Sequence, residues 1–442
     1  MDQTADVGLV RGIRRWDLVA LVINGFVGAG IFGLPSKVYG LIGAYSLPAF
    51  LICALVVTLI ILCFAEVASR FTETGGPYLY VREAFNPLAG FEIGWLLWLA
   101  RMAGFAAICN LLVTYLSYFW PAANSGWWRT SVVVTVVISL TIVNIIGVRE
   151  AAVVSTVFTV GKLLPLLLFV TAGLFFIDLQ NYSFVTQPSY ASFSTAVLLL
   201  VFAFAGFEVS VVPTGEIRDP RRNIPFALLT AMAVVALLYT LIQLVCIGTL
   251  PELADSERPL ADAGNRFLGA AGASVISVGA LISLIGILNH QMLTTPRLIF
   301  AMAERGQLPQ ILSATHRRFR TPYIAILLSA TVMLVLTLSG TFIYAVTISA
   351  LIRLLTYVAT CVALLILRHR NGERQARFKV PSGSAVSGIA VALCIWLLSN
   401  SSWREARDIV VAAALGLVIY MTYRLRRRAS GSQQPVDAVE GS

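Results

Sequence analysis

The sequence predicts an all-α polytopic membrane protein that crosses the bilayer twelve times. Of its 442 residues, 58% are hydrophobic and 12% charged. An ordinary soluble domain is roughly a quarter charged, so no water-facing globular surface can be made from this chain. Mean hydropathy is +0.83, and apolar runs of about 18 residues or more recur from end to end. The net charge of +10 comes from basic residues gathered between those runs, where they orient spans rather than attract nucleic acid. The same composition excludes soluble enzymes and extracellular β-sandwiches.

Taken in order, the apolar runs lie at 17–43, 45–70, 88–120, 130–148, 152–177, 192–215, 225–249, 270–302, 322–340, 343–368, 384–400 and 406–424. Three arginines (Arg11, Arg14, Arg15) precede the first run, as in a signal peptide. No small-residue cleavage site follows, so the first span is expected to stay in the mature protein. An even number of spans puts both termini on one side. That set of loops and termini holds 22 of the 32 basic residues and the opposite set six, which predicts cytoplasmic termini. The remaining four, Arg101, Lys162, Arg297 and Arg353, fall within or at the edge of spans. All six cysteines (Cys53, Cys63, Cys109, Cys246, Cys361, Cys394) sit in apolar stretches and are expected to be core hydrophobes, with no disulfide framework and no metal site. Trp16, Trp95, Trp120, Trp127, Trp128 and Trp403 lie near expected span ends and suit an interfacial belt.

Two spans look interrupted. Span 1 carries Asn24-Gly25-Phe26-Val27-Gly28-Ala29-Gly30-Ile31-Phe32-Gly33-Leu34-Pro35, four glycines and a proline where a helix should cross lipid. Span 6, five spans later, carries Phe202-Ala203-Phe204-Ala205-Gly206-Phe207-Glu208, with one glycine and a carboxylate. Interruptions at matching places in two halves point to a transporter built from inverted repeats with its site at the midplane. An unwound segment frees N–H groups at one half-helix end, where the dipole favours an anion, and C=O groups at the other, where it favours a cation. A zwitterion such as an α-amino acid fits that pair. The competing explanation is close helix packing through small residues.

These residues resemble the amino acid, polyamine and organocation transporter superfamily. The resemblance runs from about residue 12 to 425. It rests on Gly28-Ala29-Gly30-Ile31-Phe32; on Ala65-Glu66-Val67-Ala68-Ser69 with Thr74-Gly75-Gly76-Pro77-Tyr78-Leu79-Tyr80; and on Phe204-Ala205-Gly206-Phe207-Glu208. Further on, Gly215-Glu216-Ile217-Arg218-Asp219-Pro220 with Asn223-Ile224-Pro225 belongs to it, as does Arg297 with Ala301-Met302-Ala303-Glu304-Arg305-Gly306-Gln307-Leu308-Pro309. The resemblance implies the LeuT-like fold of five plus five inverted helices followed by two more, with spans 1 and 6 discontinuous. On that plan 1–16 is a cytoplasmic N-terminus, 17–177 and 192–368 are the two repeats, 384–424 holds spans 11 and 12, and 425–442 is a disordered cytoplasmic tail. It further implies that a substrate carboxylate meets backbone amides of Ala29 and Gly30 beside Gly28. The amino group would meet carbonyls of Phe26, Phe202 and Ala205, next to Ala203 and Gly206, with Phe202 as an aromatic gate. Ala29 stands where some relatives have serine, leaving recognition more dependent on the backbone.

The charges inside the membrane are candidates for coupling and recognition. Lys162 lies in Val160-Gly161-Lys162-Leu163-Leu164-Pro165 of span 5. An ammonium stripped of water can exchange its proton readily, and the resemblance places a lysine here in proton-coupled members, where sodium-coupled relatives hold their ion. Snorkelling to the interface is the alternative. Glu208 is expected to be paired or protonated, and so to share in proton coupling. Arg101 in span 3 could pair with Glu208, the favoured reading, or accept an acidic substrate side chain. Arg353 reads as a second structural or gating cation, Arg297 as a partner for Glu304, and Glu66 as helix-end structure. His290, in Asn289-His290-Gln291, is either a helix-contact residue or a proton relay. His316 and His369 fall in expected loops.

The sequence therefore predicts gradient-driven, proton-coupled amino acid uptake without cofactor or metal, and no motif implies an obligate protein partner. No nucleotide-binding motif and no catalytic constellation is present. An exchanger, a polyamine carrier and a nutrient sensor are the alternatives. Small residues Ala29, Ala203 and Ala205 with Phe202, Phe204 and Phe207 suggest a neutral, apolar substrate side chain, with Arg101 leaving acidic ones open.

Overall fold

In the computed structural model, residues 13–71, 75–146, 151–185, 187–210, 217–370 and 375–429 are described, those of 151–160, 209–210 and 424–429 by backbone only. Motif residues Thr74, Gly215 and Glu216, loop residues Arg11, Arg149 and Arg374, and the tail beyond Ala429 lie outside them.

The described residues form helices in the order α1 (Arg15–Phe26), α2 (Ala29–Ile42), α3 (Ser46–Ala68), α4 (Pro77–Ala84), α5 (Pro87–Leu116), α6 (Gly126–Ile146), α7 (Ala151–Gly173), α8 (Tyr190–Ala203), α9 (Phe207–Ser210), α10 (Pro220–Thr249), α11 (Pro259–Glu304), α12 (Tyr323–Ser339), α13 (Phe342–His369), α14 (Gly383–Leu398) and α15 (Trp403–Ala429). The one β-type pairing among them is an isolated bridge between Ile13 and Ile217. Polar residues start several helices as expected of caps. Asn86 accepts the Ala89 amide at 2.9 Å ahead of Pro87, Thr341 accepts that of Tyr344 at 3.3 Å, and Ser189 that of Ser192 at 3.1 Å.

Among the described residues, seven stretches are long and apolar enough to cross a membrane: Ala29–Ala68, Pro87–Leu116, Gly126–Ile146, Pro220–Thr249, Pro259–Glu304, Phe342–His369 and Trp403–Tyr423. Shorter apolar helices cover Gly161–Phe176, Tyr190–Ala203, Tyr323–Ser339 and Gly383–Leu398. Two expected connections hold helix. The segment between spans 2 and 3 contains α4, and that before span 8 contains the first part of α11, which bends at Gly269 (φ 65°). α15 runs to Ala429, past the expected start of the tail.

α5 is the central post, buried over almost its whole length and packed against α4, α11, α12 and α13. α3, α8 and α10 complete the interior. On the outside, Ile138 and Ile142 of α6, Leu164, Leu167 and Leu168 of α7, and Val411, Leu415 and Val418 of α15 are exposed. Apolar spacing of three and four on an uncovered face is what a lipid-facing helix requires. The six cysteines are free and buried. Trp16, Trp120, Trp127, Trp128 and Trp403 are exposed, as a belt needs, but Trp95 is not part of one. It is buried and donates to the Ala412 carbonyl at 2.9 Å.

Glu66 closes one end of the bundle. Its fully buried carboxylate accepts Arg368 Nε and Nη2 at 2.8 and 2.6 Å, Arg70 Nη2 at 3.4 Å and the Val380 amide at 2.8 Å. The bidentate fork joins the ends of α3 and α13 to the chain entering α14, a structural use of the residue. Arg297 does not pair with Glu304; its guanidinium donates to the Leu293 carbonyl one turn back in its own helix. His369 ends α13 rather than lying in a loop, and His316 Nδ1 accepts the amides of Arg318 and Phe319.

Candidate functional site at two helix breaks

α1 stops at Phe26 and α2 starts at Ala29, with Val27 and Gly28 extended between them. The non-helical stretch is these two residues. Pro35, expected to contribute to it, lies inside α2, where the Gln243 amide reaches its carbonyl at 3.4 Å. α8 stops at Ala203, Gly206 takes φ +115°, and α9 starts at Phe207. That φ belongs to glycine. The two breaks cross at contact distance. A Cβ on Gly30 would lie 2.5 Å from Ala203 Cα, and one on Gly206 would lie 2.2 Å from the Gly25 carbonyl oxygen. Ring contacts support the crossing, with Phe26 and Phe207 centroids 5.8 Å apart and Phe207 also against Phe64 and Tyr357.

The carbonyl end of α1 is already engaged. Lys162 Nζ donates to Asn24 O at 2.7 Å and Val27 O at 3.0 Å, and Tyr239 Oη donates to Phe26 O at 2.8 Å. Lys162 is 2% exposed, so it does not snorkel to an interface. Its ammonium takes the place a cation prefers at a helix C-terminus. The amide end of α2 differs. Gly28, its N-cap, offers no side chain, and the first amides of a helix have no intrahelical acceptor. Ala29 and Gly30 are thus donors at a dipole end that suits an anion.

The second break carries its own anion. Glu208, 0% exposed, accepts the Gly206 amide at 2.9 Å and the Tyr357 hydroxyl at 3.3 Å, and forms an ion pair with Arg353. Arg353 Nε donates to Ser349 Oγ at 3.3 Å, which donates to the Ala100 carbonyl at 2.8 Å. This network overturns the expected pairing of Arg101 with Glu208, because Arg353 takes the carboxylate. It also gives Arg353 the structural role among the two expected for it, as an ion-pair partner. The i, i+4 spacing of Arg353 and Tyr357 on α13 was the available signal, since it puts both on one face. Tyr239, which holds Phe26 O, had no signal in the sequence.

The structure brings Phe26, Gly28, Ala29, Gly30, Ala203, Ala205, Gly206, Glu208 and Lys162 together around the crossing. Phe202 is 9% exposed, and its carbonyl accepts the Ala205 amide at 3.3 Å. Arg101, on the neighbouring α5, stands apart from this network. His290 is exposed, within Coulombic reach of Arg101 and Lys162, and its ring makes no hydrogen bond with a described residue.

Residues 13–421 match the Amino acid permease family. The chain is similar to the serine/threonine exchanger SteT of Bacillus subtilis (strain 168), 29% identical over 96% of this chain and 99% of that one. It is also similar to the branched-chain amino acid permease BcaP of the same organism, 25% identical over 95% and 94% of the two chains. The methylthioribose transporter of that organism is 26% identical over 95% of each. Apolar helices and transporter relatives together make this an integral multi-pass membrane protein. The chain belongs to the amino acid permease family, within the amino acid, polyamine and organocation superfamily.

Proposed function

We propose that this protein is a secondary transporter that moves amino acids by alternating access, with substrate at the crossing of two discontinuous helices. In this reading twelve spans form two inverted repeats, 17–177 and 192–368, followed by spans 11 and 12 at 384–424, and both termini are cytoplasmic. The substrate carboxylate sits on the amides of Ala29 and Gly30, and its amino group faces carbonyls around Phe202 and Ala205. Phe202 covers it.

Coupling falls to Lys162, and the observation that carries this is its ammonium bridging Asn24 O and Val27 O. A neutral amine could still donate to both carbonyls, but only the protonated form also places a positive charge at the carbonyl end of α1. Loss of the proton loosens the break, and its return tightens it. Glu208, held in an ion pair, serves to keep the second break in place. Exchange of one amino acid for another is the second reading, favoured by the similarity to SteT; Lys162 is then a fixed charge.

Uptake of labelled amino acids into liposomes, with and without a proton gradient, separates the two. Proton coupling predicts accumulation only with the gradient and its loss in Lys162→Ala. Label entry that needs internal amino acid, with Lys162→Ala unaffected by the gradient, selects exchange.

A further inference from the structure

We infer that Arg101 reads the substrate side chain and that the preferred substrate is an amino acid with a second carboxylate, of the glutamate or aspartate type. This rests on the transport reading above and names its substrate class. Arg101 lies in the middle of α5 and is 6% exposed. No described residue gives it a hydrogen bond or ion pair, and its Nε is fully enclosed without a partner. Glu208 is consumed by Arg353, Tyr357 and the Gly206 amide, and the charge that acts on Arg101 is Arg353, of like sign. Lys162 is answered by two carbonyls. Arg101 is answered by no described residue, and a desolvated cation without a partner is costly. Such a group is stable when an anion arrives.

Its position fits that role. Gly104 lies one turn along α5 on the same face, and a Cβ there would be 3.4 Å from Ser349 Oγ, 3.6 Å from Gln291 Nε2 and 3.8 Å from Phe202 Cε2. The face of α5 bearing Arg101 therefore opens toward the second break and α11. On α11, Ile287 is the residue a Cβ on Gly28 would touch, at 3.5 Å, and Gln291 follows it by four positions. One turn of α11, about 5–6 Å, thus leads from the amide end of α2 toward the surroundings of Arg101. Gln291 Oε1 also lacks a partner. An α-carboxylate at Ala29 and Gly30 leaves a side-chain carboxylate to meet the guanidinium, which binds carboxylates bidentately. This replaces the sequence-based expectation of an apolar side chain.

The test uses the full-length protein in liposomes and compares labelled glutamate with glutamine, nearly the same shape without the charge. Glutamate is expected to bind or enter at least about tenfold better, as a charge-assisted hydrogen bond in a dry site demands. Arg101→Gln should abolish that preference while glutamine handling persists. Should the variant fail to fold, the glutamate-to-glutamine ratio of the unaltered protein decides by itself. Glutamine equal to or better than glutamate, or both weakened alike by Arg101→Gln, overturns the inference and leaves amino acid transport standing. Failure of every amino acid tried overturns the transport reading and this inference with it.

Discussion

The two helix breaks solve the same physical problem in opposite ways. At the first, between α1 and α2, the carbonyl end is filled by a cation from another helix, Lys162, and by the Tyr239 hydroxyl, while the amide end has no side-chain cap. At the second, between α8 and α9, the amide end is filled from within, because Glu208 folds back on the Gly206 amide and is locked by Arg353 and Tyr357. A half-helix end inside a membrane must find partners for its backbone groups. The first break leaves its anion-seeking end for something not in the chain. The second has used up its own. The difference is one of supply: among the described residues a protein carboxylate answers the amide end of the second break, while none is bonded to the amide end of the first.

The largest effect that would break this comparison comes from backbone geometry. Gly206→Ala costs about 1–2 kcal/mol for the positive φ alone, and the larger cost is the clash of its Cβ with the Gly25 carbonyl oxygen, 2.2 Å away, which cannot be relieved without moving backbone. The helices must separate, so size-exclusion profiles of detergent-solubilised protein should show loss of the folded species. Gly28→Ala, whose Cβ would make an ordinary 3.5 Å contact with Ile287, should fold. If both behave alike, the two breaks do not differ as described.

Next in size is the buried pair at the second break. Glu208→Gln removes one partner and leaves Arg353 enclosed, a loss of about 3–5 kcal/mol, read as a lowered thermal unfolding midpoint. The double variant Glu208→Gln with Arg353→Met should recover much of that loss, since it removes the orphaned charge as well. A double variant no better than Glu208→Gln would mean the ion pair is not what holds this break. The smallest effect sharpens the first break. Tyr239→Phe deletes one hydroxyl donor to Phe26 O and should cost about 1 kcal/mol by the same measurement, with the fold kept.

How much of this was legible beforehand varies by residue. Span positions followed from runs of apolar side chains, because a bilayer accepts little else, and the observed helices end within a few residues of the expected runs at most positions. The helices α4 and the start of α11 were missed because they are short and their apolar content resembles that of a connection. In the candidate site, Gly28, Gly30, Gly206, Lys162 and Glu208 each stood out as a residue type that lipid disfavours or a backbone that helix disfavours, whereas Ala29 was marked only by the family resemblance. Tyr239 and Ser349 did not, since a hydroxyl in an apolar run gives no sign of which carbonyl it will meet. The pairing of Arg101 with Glu208 was wrong for a related reason. Two arginines were available to one carboxylate, and sequence separation does not rank them.

By itself, the sequence determined the class, an all-helical chain with several membrane-length apolar runs, and marked the glycines at which helix is disfavoured. Each is a local property, set by side-chain transfer energy or by the conformational freedom of one residue. Tertiary structure alone decided which charge meets which: Arg353 rather than Arg101 for Glu208, and the carbonyls of Asn24 and Val27 for Lys162. Those partners lie on helices brought together only by packing, and inside a membrane a buried charge takes whichever partner the packing delivers. That left Arg101 without a partner among the described residues.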